Sequence, residues 1–120
     1  MLLSGLLVGC AGSAPTPRAD EVPSAVLDRA IAGAHRTPAY TPRDRYRHPK
    51  ETLLFFGFKP ELQIVEIWPG GGWYTEILAP ALNDHGRYTA AHYHPDDNSR
   101  PYRPTLRQRF LAKLAAQPER

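Results

Sequence analysis

Between Leu62 and Pro80 the chain reads LQIVEIWPGGGWYTEILAP, and this stretch constrains the fold more than any other. Gln63 to Ile67 sets β-branched residues around a single carboxylate, Glu66, and predicts a short strand. Pro69 has no amide hydrogen to extend a ladder, and Gly70, Gly71 and Gly72 release the constraint on φ, so the strand ends in a turn. From Trp73 onward the apolar residues Trp73, Ile77, Leu78 and Ala81 recur at helical spacing, with Pro80 near the expected end. A strand, a glycine turn and a helix in that order present backbone amides and a helix N-terminus to a negatively charged or polar ligand.

The flanking sequence predicts a mixed α/β unit. Asn83 to Gly86 reads as a turn and Arg87 to Tyr93 as a second strand. A strand, crossover helix and strand over about thirty residues form a βαβ unit, with parallel strands and a right-handed connection. Helices are expected at Val22–His35, capped by Asp20 or Ser24, and at His48–Phe56, stopped by Gly57. A last helix, from about Thr105 to Gln117, carries Leu106, Phe110, Leu111 and Leu114 on one stripe, with Arg107, Arg109 and Lys113 outside. That stripe calls for a partner surface. Arg36 to Pro49 reads as a polar linker whose Tyr40, Arg43, Asp44, Arg45, Tyr46, Arg47 and His48 either pack over a sheet edge or line the mouth of a ligand site.

With 120 residues the chain has room for one small domain. A formal charge of +3 is too mild to indicate a nucleic-acid tail or a polybasic membrane patch. The single cysteine excludes an internal disulfide framework. Its setting is more telling: Leu7-Val8-Gly9-Cys10 closes a short apolar run and resembles a bacterial lipoprotein signal. That resemblance implies cleavage after residue 9, acylation of Cys10, a tether over residues 10–21 and attachment to the cell envelope, at the periplasmic face of the outer membrane.

The glycine turn excludes two ligand classes. A phosphate loop of the ATP-hydrolysing type needs Lys and Ser/Thr after its glycines, where this chain has Trp73 and Tyr74. A dinucleotide fingerprint needs a third glycine where Thr75 stands. Glu66, four residues before Gly70, suits a ligand with a cationic or hydroxyl group instead of a pyrophosphate; the alternative is that it receives backbone amides of its own turn.

Val65-Glu66-Ile67-Trp68-Pro69-Gly70-Gly71-Gly72-Trp73-Tyr74-Thr75 resembles motif I of the class I S-adenosylmethionine-dependent methyltransferases, an acid followed by alternate glycines. Arg47 to Pro80 with Gly86-Arg87-Tyr88 is similar to a group of predicted bacterial exported methyltransferases. The resemblance implies a Rossmann-like fold and S-adenosylmethionine as cofactor. It makes Glu66 the motif acid and brings the amides of Gly70, Gly71 and Gly72 to the methionine part. Trp68 stands where the family has its first glycine. His92 stands where the family has an acid for the ribose hydroxyls, with Asp96 or Asp97 as substitutes. Residues 22–120 would then form the cofactor-binding front of an incomplete methyltransferase domain with two of the family's seven strands. No catalytic residue and no methyl acceptor can be named from it.

Two other readings compete. His92-Tyr93-His94-Pro95-Asp96-Asp97 resembles the His-x-His-x-Asp-His motif of metallo-β-lactamase-type hydrolases, without its last histidine or downstream ligands, and the expectation is that no metal is held. A lipid-anchored, non-catalytic binding or interaction module is the alternative to an enzyme.

Overall fold

The computed structural model describes residues 21–116; Cys10, its apolar leader and all but the last residue of the tether lie outside them. The elements run α1 (Glu21–Ala32), a 3-10 turn (Thr41–Arg43), α2 (Asp44–Arg47), α3 (Pro49–Phe55), β1 (Gln63–Ile67), α4 (Thr75–Leu82), β2 (Arg87–Ala91) and α5 (Tyr102–Ala115). β1 and β2 pair in parallel, Gln63 opposite Arg87 and Ile67 opposite Ala91, with α4 between them in sequence. The described residues therefore form a mixed α/β structure, a two-stranded parallel sheet flanked by helices.

The core lies chiefly between two helices. Leu27 and Ala30 of α1 meet Ile77, Leu78, Ala81 and Leu82 of α4, with Phe58 and Trp73 completing the cluster. Leu27, Ile77 and Leu82 are essentially inaccessible to solvent, and each such side chain contributes about 1.5–3 kcal/mol on burial. The sheet adds only one face to this core: Ile64 and Tyr88 pack against it. The other face, with Val65 and Ile67 at 60% and 73% exposure, is uncovered among the described residues. Parallel sheets are normally covered on both faces, so this uncovered face is a distinguishing feature.

Several elements differ from the sequence expectation. The linker contains the 3-10 turn and α2, because Arg36 is buried and its guanidinium grips Asp44 with two hydrogen bonds of 3.1 and 3.0 Å. β2 stops at Ala91, since His92 turns its ring back toward the glycine turn. In α4 the helix opens at Thr75 and runs past Pro80 to Leu82. A proline inside a helix leaves the carbonyl four residues earlier without its donor. Here that carbonyl belongs to Glu76, and His35 Nε2 lies 2.7 Å from it. A carbonyl only accepts, so Nε2 carries the proton, and the histidine replaces the hydrogen bond that Pro80 cannot make.

α5 starts at Tyr102, ahead of the expected Thr105, and of its apolar stripe only Phe110 is buried; Leu111 and Leu114 remain 42% and 39% exposed. Lys113, expected on the outer side of this helix, instead reaches Glu76 at 2.7 Å and the carbonyl of Gly71 at 2.9 Å. The helix is drawn over the glycine turn by these polar contacts together with Phe110.

Candidate functional site

The turn after β1 takes a backbone path that few residues adopt. Trp68, Gly70 and Gly72 all have positive φ, at 55°, 60° and 88°. Trp68 carries a side chain at one of these left-handed positions, which costs about 1–2 kcal/mol. Trp68 is held by its surroundings. Its amide donates to Ala91 O at 2.8 Å, and its ring lies 5.7 Å from Tyr93 and 5.4 Å from the Arg103 guanidinium. Gly72 has a second constraint, since a Cβ there would sit 3.1 Å from the Phe110 ring.

The carbonyls of the turn are occupied by the protein. His92 Nε2 lies 3.1 Å from Gly70 O, while Tyr40 Oη and Lys113 Nζ donate to Gly71 O at 3.0 and 2.9 Å. His92 Nδ1 accepts the Tyr93 amide at 2.8 Å, so the proton is on Nε2 and the ring donates it to Gly70 O. In a trans peptide the carbonyl and the following amide point opposite ways. The Gly70 carbonyl directed at His92 therefore turns the Gly71 amide away from His92. Among the described residues the amides of Gly70 and Gly71 have no partner, whereas that of Gly72 closes the turn onto Pro69 O at 2.9 Å.

Glu66 stands beside the turn, half-buried. Its Oε2 accepts the hydroxyls of Thr75, at 3.0 Å, and of Tyr88. These donors come from α4 and β2, so the acid is oriented by side chains and not by amides of its own turn. Oε1 has no partner among the described residues. The Tyr88 hydroxyl is pushed well above its usual pKa, first by burial and then by its hydrogen bond to the Glu66 carboxylate. Thr75, which breaks the dinucleotide fingerprint, is buried and donates to Glu66, with its Oγ1 2.8 Å from the Tyr88 hydroxyl oxygen.

Two open cavities flank the turn. One, of about 410 Å3, is lined by Glu66, Trp68, Gly71 and Trp73 together with Tyr40, Arg43 and Arg47. The other, of about 690 Å3, runs between β2 and α5 past His92, Tyr93 and Phe110. Both fall in the size range of small-molecule sites. Behind the turn lies Glu76, whose carboxylate accepts the amide of Thr37 at 2.9 Å and Lys113 Nζ at 2.7 Å, with Arg36 Nε at 3.5 Å. Burial pushes the Glu76 carboxyl up, but the hydrogen bonds from Lys113 and Thr37 outweigh it and hold the group below its usual value.

No protein-family model, curated protein or solved structure matches this chain. Its chemistry therefore rests on its own residues. The structure brings Glu66, Gly70, Gly71, Gly72 and His92 together around one turn. The His-Tyr-His-Pro-Asp-Asp segment does not converge in the same way. His94 is exposed beside Asp96, Asp97 is bound by Ser99 and Arg103, and among the described residues no three His, Cys, Asp or Glu side chains are grouped as metal ligands. Those Ser99 hydrogen bonds, with Arg103, hold the Asp97 carboxyl down at about 2. Tyr88, Lys113 and Glu76 escaped the sequence reading. Only Glu76 left a signal there, a carboxylate four residues ahead of a proline.

Proposed function

We propose that this chain is a methyltransferase-like protein whose glycine turn binds S-adenosylmethionine, in a Rossmann-like unit forming the front of a class I methyltransferase fold. The observation that carries the reading is the pair of unpartnered amides at Gly70 and Gly71 beside the oriented carboxylate of Glu66, at the carboxyl end of a parallel strand. Amides of that kind suit a carboxylate or hydroxyl, and an acid with one free oxygen suits an ammonium or sulfonium group. Glu66, Gly70 and Gly71 would hold the cofactor, while the Gly72 amide, bonded to Pro69 O, shapes the turn and is not free to bind it as the resemblance implies. His92 supports the turn by its bond to Gly70 O, a positioning role, instead of replacing the ribose-binding acid. When bound, the cofactor supplies an electrophilic methyl group, which passes from its sulfonium to a nucleophile and leaves S-adenosylhomocysteine.

Calorimetric titration of the full chain with S-adenosylmethionine and S-adenosylhomocysteine tests this. Wild type is expected to bind both, and Glu66→Gln to bind each more weakly while remaining folded. Absence of heat and of any thermal shift in folded wild type would refute it. A lipid-anchored interaction module is the second reading, favoured by the uncovered Val65 and Ile67 on the outer face of the sheet. Anchoring through Cys10 belongs to either reading, and metabolic labelling with a fatty-acid analogue, lost in Cys10→Ser, is its test. No helix among the described residues is long and apolar enough to cross a membrane.

A further inference from the structure

Trp73 is the hub of a cluster of cations. The guanidiniums of Arg36, Arg43 and Arg47 lie 5.8, 5.8 and 5.0 Å from its ring. The indole itself is buried and fixed, its Nε1 donating to Tyr40 O at 3.1 Å. Arg36 is neutralised by Asp44 and Glu76. Arg43 and Arg47 differ: both are exposed, both line the 410 Å3 cavity, and neither makes an ion pair among the described residues. Stacking occupies the face of a guanidinium and leaves the N–H groups at its edge free to grip a planar or tetrahedral anion. Two cations held around one ring repel each other, and an anion shared between them relieves that repulsion. Arg45, which stacks on Tyr46 at 4.4 Å, does not line the cavity.

Glu66 lines the same cavity. The space is thus polarised, with a carboxylate beside the glycine turn and two guanidiniums on the segment that precedes β1. We propose that Arg43 and Arg47 form an anion subsite that holds the carboxylate or phosphate of the methyl acceptor. This rests on the cofactor reading of the turn and adds to it a class of acceptor, one with an anionic group set apart from its nucleophile.

The test uses the full chain and two separate titrations, with inorganic phosphate and with S-adenosylhomocysteine. The variants are Arg43→Gln/Arg47→Gln and, as a control, Arg45→Gln. Phosphate is expected to bind wild type and the control equally and the double variant about tenfold more weakly, as loss of charge-assisted hydrogen bonds requires, with S-adenosylhomocysteine unaffected throughout. Phosphate binding that is absent from wild type, or unchanged in the double variant, overturns the subsite. Weakening of S-adenosylhomocysteine in the double variant assigns the arginines to the cofactor's own carboxylate and overturns the acceptor assignment. If S-adenosylhomocysteine binds no variant while phosphate still follows the arginines, the anion subsite is upheld, while the cofactor reading of the turn falls and the acceptor assignment falls with it. Should the double variant fail to fold, Arg43→Gln and Arg47→Gln are measured singly, each expected to lower phosphate affinity.

Discussion

Glu76→Gln should destabilise the protein markedly at neutral pH and much less in acid. The carboxylate is 5% exposed and takes its hydrogen bonds on both oxygens: Thr37 N on Oε2, Lys113 Nζ and the Thr37 hydroxyl on Oε1, with Arg36 Nε near Oε2. A glutamine amide keeps one acceptor oxygen and points an NH2 at the other set of donors. If Oε1 is replaced, the Thr37 hydroxyl can reverse but Lys113 faces a donor. If Oε2 is replaced, the Thr37 amide and Arg36 do. Hydrogen bonds to a charged group contribute about 1.5–3 kcal/mol each, and breaking a buried pair costs about 3–5 kcal/mol. Lys113, 23% exposed, regains some hydration, which brings the expected loss to about 2–3 kcal/mol. That is a large share of the roughly 5–15 kcal/mol that holds a typical domain folded.

Urea unfolding followed by tryptophan fluorescence measures the loss, since Trp73 is buried in the core. The pH dependence has a definite sign. The folded-state pKa of Glu76 lies below its ordinary 4.5, so the group contributes its full stabilisation above that value and loses it as pH falls through the folded pKa. The variant has no such group, and the gap between the two proteins should narrow below pH 4.5. A gap under about 1 kcal/mol at pH 7, or one that stays constant into acid, would refute the assignment of stability to this charge.

Three further outcomes are expected. His35→Ala should cost about 1–2 kcal/mol by leaving the Glu76 carbonyl unsatisfied, and Pro80→Ala, which restores an amide to that carbonyl, should reduce the cost; a double-mutant cycle with no coupling would refute the pairing. Gly86→Ala should be more damaging than Gly72→Ala, on the order of 3 kcal/mol, because its Cβ would meet two main-chain oxygens, Pro60 O at 2.4 Å and Leu62 O at 2.6 Å, whereas Gly72→Ala adds a left-handed backbone cost of about 1–2 kcal/mol and a contact of 3.1 Å with the Phe110 ring; melting temperatures decide the order. Trp68→Gly should change stability by no more than about 1 kcal/mol, lost ring contacts balancing relief of the left-handed backbone, whereas Trp68→Val should lose about 2 kcal/mol more by forcing a β-branched residue into that conformation, as chemical denaturation would show.

Local chemistry alone was enough to locate β1, the turn, α3 and the start of β2. The β-branched residues Ile64, Val65 and Ile67, the proline at 69 and three consecutive glycines leave the backbone few alternatives, and Pro49 with Gly57 brackets a short helix in the same way. The sequence also pointed to Glu66 and the glycines as one constellation, since they are near neighbours in the chain. Which groups surround them depends on contacts between residues far apart: Tyr88 and Thr75 on the acid, Lys113 and Tyr40 on the Gly71 carbonyl, His92 on that of Gly70. Periodicity assigns a residue to a helix face but not to a partner, and so Lys113 looked like a solvent-facing charge. Pro80 shows the same limit. By propensity it ends a helix, yet α4 continues because a histidine forty-one residues away from Glu76 supplies the missing donor. Backbone preferences act within a few residues and are written in the sequence, whereas satisfaction of buried polar groups is settled only when distant segments meet.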